Sequence, residues 1–172
     1  MVHLAAGHRA SRDAHAECLH FDRAALRFPV ELAIPRGFLP QDPATWPDVE
    51  GRLEYVDGGI RYMPPCGAVQ QGVCADLTTV LGEWLRPHRD FFLGANEAGM
   101  IRGADVRAAD AAIWRRADRG AIAPRSQRVA PLLAVEVAGE EEREPALRDK
   151  ARWYLDAGRW CGWSCRTRAR WS

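Results

Sequence analysis

Pro131-Leu-Leu-Ala-Val-Glu-Val137 is the stretch on which the reading of this chain turns. Its apolar residues run almost without a break, the pattern of a strand covered on both faces. Such a strand needs helices packed over its sheet, which points to an α/β or α+β layered fold with a mixed sheet. Downstream, Pro145 suits the first turn of a helix. Leu147, Ala151, Tyr154, Leu155 and Gly158 then fall on one helical face. Upstream, residues 106–114 and 91–100 read as strands. Residues 68–85 have helical spacing, with Val69, Val73, Leu77, Val80, Leu81 and Trp84 on one stripe and Pro87 as the stop. Residues 52–56 and 60–63 flank Asp57-Gly58-Gly59, a hairpin signal, because the tight turn requires positive φ. The predicted order is hairpin, helix, strand, strand, strand, helix.

Two of these strands contain a carboxylate where apolar residues are expected. An ionised Glu136 inside a buried strand must be protonated, paired or bound to a metal; alternatively it sits at the strand end and reaches solvent. Asp110 lies within Val106-Arg-Ala-Ala-Asp-Ala-Ala-Ile113. Aspartate is disfavoured inside strands, so the alternative there is a strand terminus or a bulge. Two acids facing one way from neighbouring strands make an oxygen-rich site of the kind that suits Mg²⁺. Lys150 follows on the next helix, at the edge of the apolar stripe, and it is the only lysine of the chain. A solvated surface lysine and a bias toward arginine codons are the plain explanation. The functional one is that lysine offers a compact point charge, which the planar arginine fork cannot replace. Two acids and a lysine are a constellation for phosphodiester hydrolysis. A cation held by the acids activates water, and the lysine offsets developing charge. Glu54, on the first hairpin strand, offers a third acid, and Glu97 is a weaker candidate.

Five segments stand in an order that matches a known pattern: Arg52-Leu-Glu-Tyr-Val-Asp-Gly58, Met63-Pro-Pro65 before a helix, Val106-Arg-Ala-Ala-Asp110, Leu133-Ala-Val-Glu-Val137 and Lys150-Ala-Arg-Trp-Tyr-Leu-Asp-Ala-Gly158. Together, over about Trp46 to Trp163, they resemble the Uma-two family of restriction endonucleases, a branch of the PD-(D/E)XK nuclease superfamily. The resemblance implies a restriction-endonuclease-like three-layer α/β/α core with a mixed β-sheet, preceded by a β-hairpin. It implies Asp110 and Glu136 as metal ligands, Lys150 as the catalytic lysine carried on the helix, and Glu54 as a further catalytic acid. Two positions depart from the family: Ala109 stands where a proline is usual, and Gln70 where a histidine is usual.

Composition sets the outer limits. The 172 residues suffice for one domain, and 47% apolar with 27% charged residues excludes a wholly disordered chain. No apolar run approaches the ~20 residues of a membrane-spanning helix. Residues 1–20 are polar, unlike a secretory signal, so a cytoplasmic location is expected. A net charge of +1 disfavours a protein that lives by electrostatic nucleic-acid binding alone. Five cysteines, an odd number, argue for free thiols. His15, Cys18 and His20 are close together but lack a fourth zinc ligand.

Residues 1–45 read as a poorly patterned N-terminal extension, with a short amphipathic helix over 14–26 and proline-rich irregular chain from 35. Residues 46–163 read as the nuclease-like domain, and 164–172 as a basic, irregular tail. Gly162 and the arginines of 159–172 predict no buried strand there, as in a displaced reading frame. The expectation is a metal-dependent endonuclease that hydrolyses DNA phosphodiester bonds with Mg²⁺ or Mn²⁺. A cut on both strands would call for a homodimer. The alternatives are a degenerate, non-catalytic nuclease-fold protein with a truncated or frame-shifted C-terminus, and an unrelated small α/β binding domain.

Overall fold

The hairpin that Asp57-Gly58 predicts is present in the computed structural model of the chain, which describes residues 28–118, 126–139, 142–157 and 160–164. The described residues form two compact units. One runs to Pro65 and takes in Gly103–Arg107; the other comprises Cys66–Arg102 and the described chain from Ala108 onward.

In the first unit, β1 (Val30–Leu32), β2 (Arg52–Val56) and β3 (Gly59–Met63) lie in the order β1-β3-β2, both pairs antiparallel. Asp57 and Gly58 close the β2–β3 turn with φ of 52° and 82°, the left-handed pair that a two-residue hairpin needs. The Asp105 carboxylate accepts from the Asp57 amide at 3.1 Å, and Tyr55 pairs with Val106. Gly51 sits at φ +134°, where a Cβ would come within 2.4 Å of the Met63 carbonyl oxygen. Phe28, Val56, Ile60 and Tyr62 are buried, Phe28 meeting Tyr62 edge to face. Strand β1 falls in a segment that the sequence left without pattern. Three residues are too few for periodicity to register, and the strand exists through its pairing with β3.

The second unit holds α1 (Ala68–Leu85), β4 (Phe91–Arg102), β5 (Asp105–Arg115, from Ala108 onward), β6 (Ser126–Gln127), β7 (Leu133–Val137), α2 (Glu144–Leu155) and β8 (Trp160–Ser164). Its strand order is β6-β4-β5-β7-β8. β5 and β7 are antiparallel, whereas β4–β6 and β7–β8 are parallel, so the sheet is mixed. Ala112 of β5 faces Ala134 of β7 across the ladder, and both are fully covered. They share a core cluster with Met100, Trp114, Trp153 and Tyr154. Small residues on the strands leave room for the two large rings of α2, whose burial removes a large apolar area from water. The buried Trp114 indole donates to the Val129 carbonyl at 2.9 Å, so its polar atom is satisfied.

Three expectations need correction. Trp160–Ser164 is a strand, paired in parallel along all five residues of β7. The ladder beside β7 outweighs the conformational cost of Gly162, and Trp160, Cys161 and Trp163 are compatible with extended chain. The α1 stripe does not face the core: Val69, Val73, Val80 and Trp84 are exposed. The half-buried face is instead Gln70, Cys74, Leu77, Leu81 and Leu85, so the helix is rolled relative to the predicted stripe. Leu155 is exposed too, while Trp153 takes the buried place near the end of α2. The helix expected over 14–26, the His15–Cys18–His20 group and the tail beyond Ser164 lie outside the described residues. Among the described residues no helix is long and apolar enough to cross a membrane.

Candidate active site

Asp110, Glu136 and Lys150 come together in the second unit, each for a local reason. β5 carries Asp110 and β7 carries Glu136. The ladder pairs Ala111 with Val135 and Ala112 with Ala134. One step further along that register, Asp110 stands across from Glu136. Directly opposed residues of an antiparallel pair project to the same face. The face is the one that Ala112 and Ala134 present. α2 begins with Glu144 and Pro145, whose missing amide hydrogen costs nothing in the first turn. Leu147, Lys150, Ala151 and Tyr154 follow at helical spacing and are all buried.

Lys150 is therefore inside the protein and not at the rim of the apolar stripe. Only 4% of its surface is exposed, against 1% for Glu136 and 8% for Asp110. Its ammonium donates to Glu136 Oε2 at 2.8 Å and to the Ala108 carbonyl at 3.0 Å. A charged group is tolerated at such depth when it is paired and hydrogen-bonded, and this ammonium is both. The solvated-lysine explanation does not apply. Asp110 is held differently. Its Oδ2 accepts from the Val137 amide at 2.7 Å, so the aspartate side chain takes up a backbone donor of β7, next to Glu136. Three bonds thus tie both carboxylates and the lysine to β5 and β7.

Further contacts surround this group. Gln70, third residue of α1, donates from Nε2 to the Val137 carbonyl at 2.9 Å. The Gly139 amide donates to Glu142 Oε2 at 3.0 Å. The sequence marked Gln70 only as a departure from a family pattern; the position of Val137 at the end of a buried strand was the signal that its carbonyl would need a donor.

Glu54 lies in the first unit. It is buried, and its Oε2 is 4.0 Å from Arg107 Nη1, on a residue that is buried as well. Glu97 is exposed on β4, where Asn96 and Glu97 both take positive φ.

The donor set can be tested against the expected cation. Among the described residues no cluster of three or more His, Cys, Asp and Glu side chains is suited to a metal. The pair Asp110 and Glu136 by itself does not match zinc, which takes four ligands, mostly nitrogen and sulfur. Asp110 and Glu136 are two carboxylates, the donors that a hard cation such as Mg²⁺ or Mn²⁺ would need if waters and substrate phosphate completed its shell. Asp110 and Glu136 would hold it.

Comparison with known proteins gives the family and the fold. The sequence model of a family described as "Uma2: Putative restriction endonuclease" matches residues 40–171. Among solved structures, the chain is similar to one described as a putative nuclease belonging to DUF820, from Anabaena variabilis. That likeness has a TM-score of 0.63 at 14% identity and covers 73% of this chain and 74% of the other. At that identity the likeness is one of fold alone. No curated protein matches the chain.

Proposed function

We propose that this chain, which belongs to the Uma2 family, is an endonuclease that hydrolyses phosphodiester bonds of DNA with Mg²⁺ or Mn²⁺ held by Asp110 and Glu136. The observation that carries the reading is the buried Lys150–Glu136 bond of 2.8 Å, with Asp110 opposite on the neighbouring strand. A lysine and two carboxylates drawn from three elements into one buried group cost more to assemble than an apolar core would. Structural need does not account for that choice, whereas phosphodiester hydrolysis uses all three.

When bound, the cation lowers the pKa of a water and polarises the phosphodiester. The chain's own residues do the rest. The Val137 amide fixes the Asp110 carboxylate in one orientation. Lys150 holds Glu136 in the same way and is itself anchored to the Ala108 carbonyl. An ammonium so placed lies beside the phosphate oxygens as they gain negative charge, and a preorganised donor at that point lowers the barrier without reorganisation. Attack by water forms one P–O bond while the bond to the leaving sugar oxygen breaks; the water gives up one proton to solvent and the leaving oxygen takes one from it. We assign no step to Glu54, whose partner is Arg107.

The test is cleavage of supercoiled plasmid by the purified protein with Mg²⁺, with Mn²⁺ and with EDTA. The wild type cuts with either metal and not with EDTA. Asp110→Asn and Lys150→Met, each confirmed as folded by far-UV circular dichroism at the assay temperature, do not cut. Lys150→Arg fails as well, because a planar fork does not replace a compact ammonium. Equal cleavage by the wild type and Lys150→Met would exclude the role given to the lysine.

A further inference from the structure

We infer that Gln70 is a positioning residue of the Asp110–Glu136–Lys150 site and acts through the backbone of Val137. The inference rests on the function proposed above and adds to it the residue that sets the site's alignment. Val137 is held at both of its backbone polar groups by side chains. Its amide donates to Asp110 Oδ2 at 2.7 Å, and its carbonyl accepts from Gln70 Nε2 at 2.9 Å. The two bonds form one chain: Gln70 grips Val137, and Val137 grips Asp110. Val137 also follows Glu136 directly, so the same segment carries the second carboxylate. Gln70 projects from the half-buried face of α1, in the helix's first turn.

Gly139 makes room for this grip. A Cβ at that position would stand 3.2 Å from Gln70 Oε1 and 3.9 Å from its Cδ. The glycine is not in the left-handed region, so its use here is space: a Cβ would crowd the Gln70 amide, which would have to shift by a few tenths of an ångström. Two positions from different elements therefore serve one contact. When the contact is lost, the Val137 carbonyl loses this donor, and Val137, whose amide holds Asp110 through the preceding peptide, is gripped by a side chain on one side only. Hydrogen-bond partners that orient metal-binding carboxylates commonly change metal affinity or activity by about 10- to 100-fold when removed.

The Gln70 donor is engaged by the Val137 carbonyl, so a positioning role shows in the metal dependence and not in DNA binding. The experiment uses full-length protein with Gln70→Glu, which keeps the length and removes the donor, and Gly139→Ala, which crowds the same amide from the other side. Mn²⁺ binding is read from the electron paramagnetic resonance signal of the free ion. Exchange of the Val137 amide hydrogen is measured without metal. The expected result is Mn²⁺ affinity weakened about tenfold in both variants, faster exchange at Val137, a higher half-saturating Mn²⁺ concentration for cleavage, and an unchanged KM for DNA. Wild-type Mn²⁺ affinity in both folded variants would overturn the positioning role and leave the proposed function standing. A wild-type protein that binds no Mn²⁺ would remove the proposed function and the positioning role together.

Discussion

Replacing either member of the Lys150–Glu136 pair should cost far more stability than replacing both. Lys150→Met leaves Glu136, with 1% of its surface exposed, as a buried carboxylate without its ammonium. Glu136→Gln leaves the Lys150 ammonium at 4% exposure without its carboxylate, though the Ala108 carbonyl at 3.0 Å remains. Breaking a buried pair from one side typically costs about 3–5 kcal/mol, and removing both charges is often close to neutral. Lys150→Met should fall near the middle of that range, since Glu136 loses its ammonium altogether. Glu136→Gln should fall at the lower end, because one acceptor stays. Domains of this size carry roughly 5–15 kcal/mol in total, so each single variant stays folded under mild conditions. A loss of about 3 kcal/mol lowers Tm by roughly 6–12 °C at 2–4 °C per kcal/mol. With singles of about 4 and 3 kcal/mol, a double variant cheaper than either recovers more than about 4 kcal/mol relative to their sum, above the roughly 0.5–3 kcal/mol usual for residues in direct contact. Urea unfolding followed by tryptophan fluorescence measures all four corners of the cycle. Additivity within about 0.5 kcal/mol, or single variants within ±0.5 kcal/mol of wild type, would refute a buried, bonded lysine.

Ending the chain after Ala157 removes the partner strand of β7, which pairs with β8 along five residues; at about 1 kcal/mol per net backbone hydrogen bond, stability should drop by roughly 3–5 kcal/mol, and an unchanged urea midpoint would show that β8 adds nothing. Glu54→Gln should destabilise by about 3 kcal/mol, the low end for a buried pair, because the contact to Arg107 is long at 4.0 Å; a midpoint equal to wild type would mean that the two side chains do not interact.

The elements that the sequence determined by itself are those with local causes. Asp57-Gly58 required a tight hairpin because few residues accept its positive φ. The helical spacing of 68–85 and the continuous apolar run before Val137 were long enough to read. Asp110 and Glu136 stood out for a like reason, since a charge inside an apolar run is an anomaly visible without any neighbour, and Lys150 stood out as the only lysine, on the helix that follows. Only the tertiary structure decided the rest. Strands β1 and β8 exist through ladders to β3 and β7, and no local pattern in Val30–Leu32 or around Gly162 announces those partners. α1 is apolar on more than one side, so periodicity could not choose the buried face; the contact of Gln70 with Val137 lies on the face that was chosen. Lys150 at the margin of a stripe could have pointed either way. It points inward because Glu136 and the Ala108 carbonyl, 14 and 42 positions away in sequence, supply there the bonds that water would supply outside, and a buried charge persists only where such bonds replace its hydration.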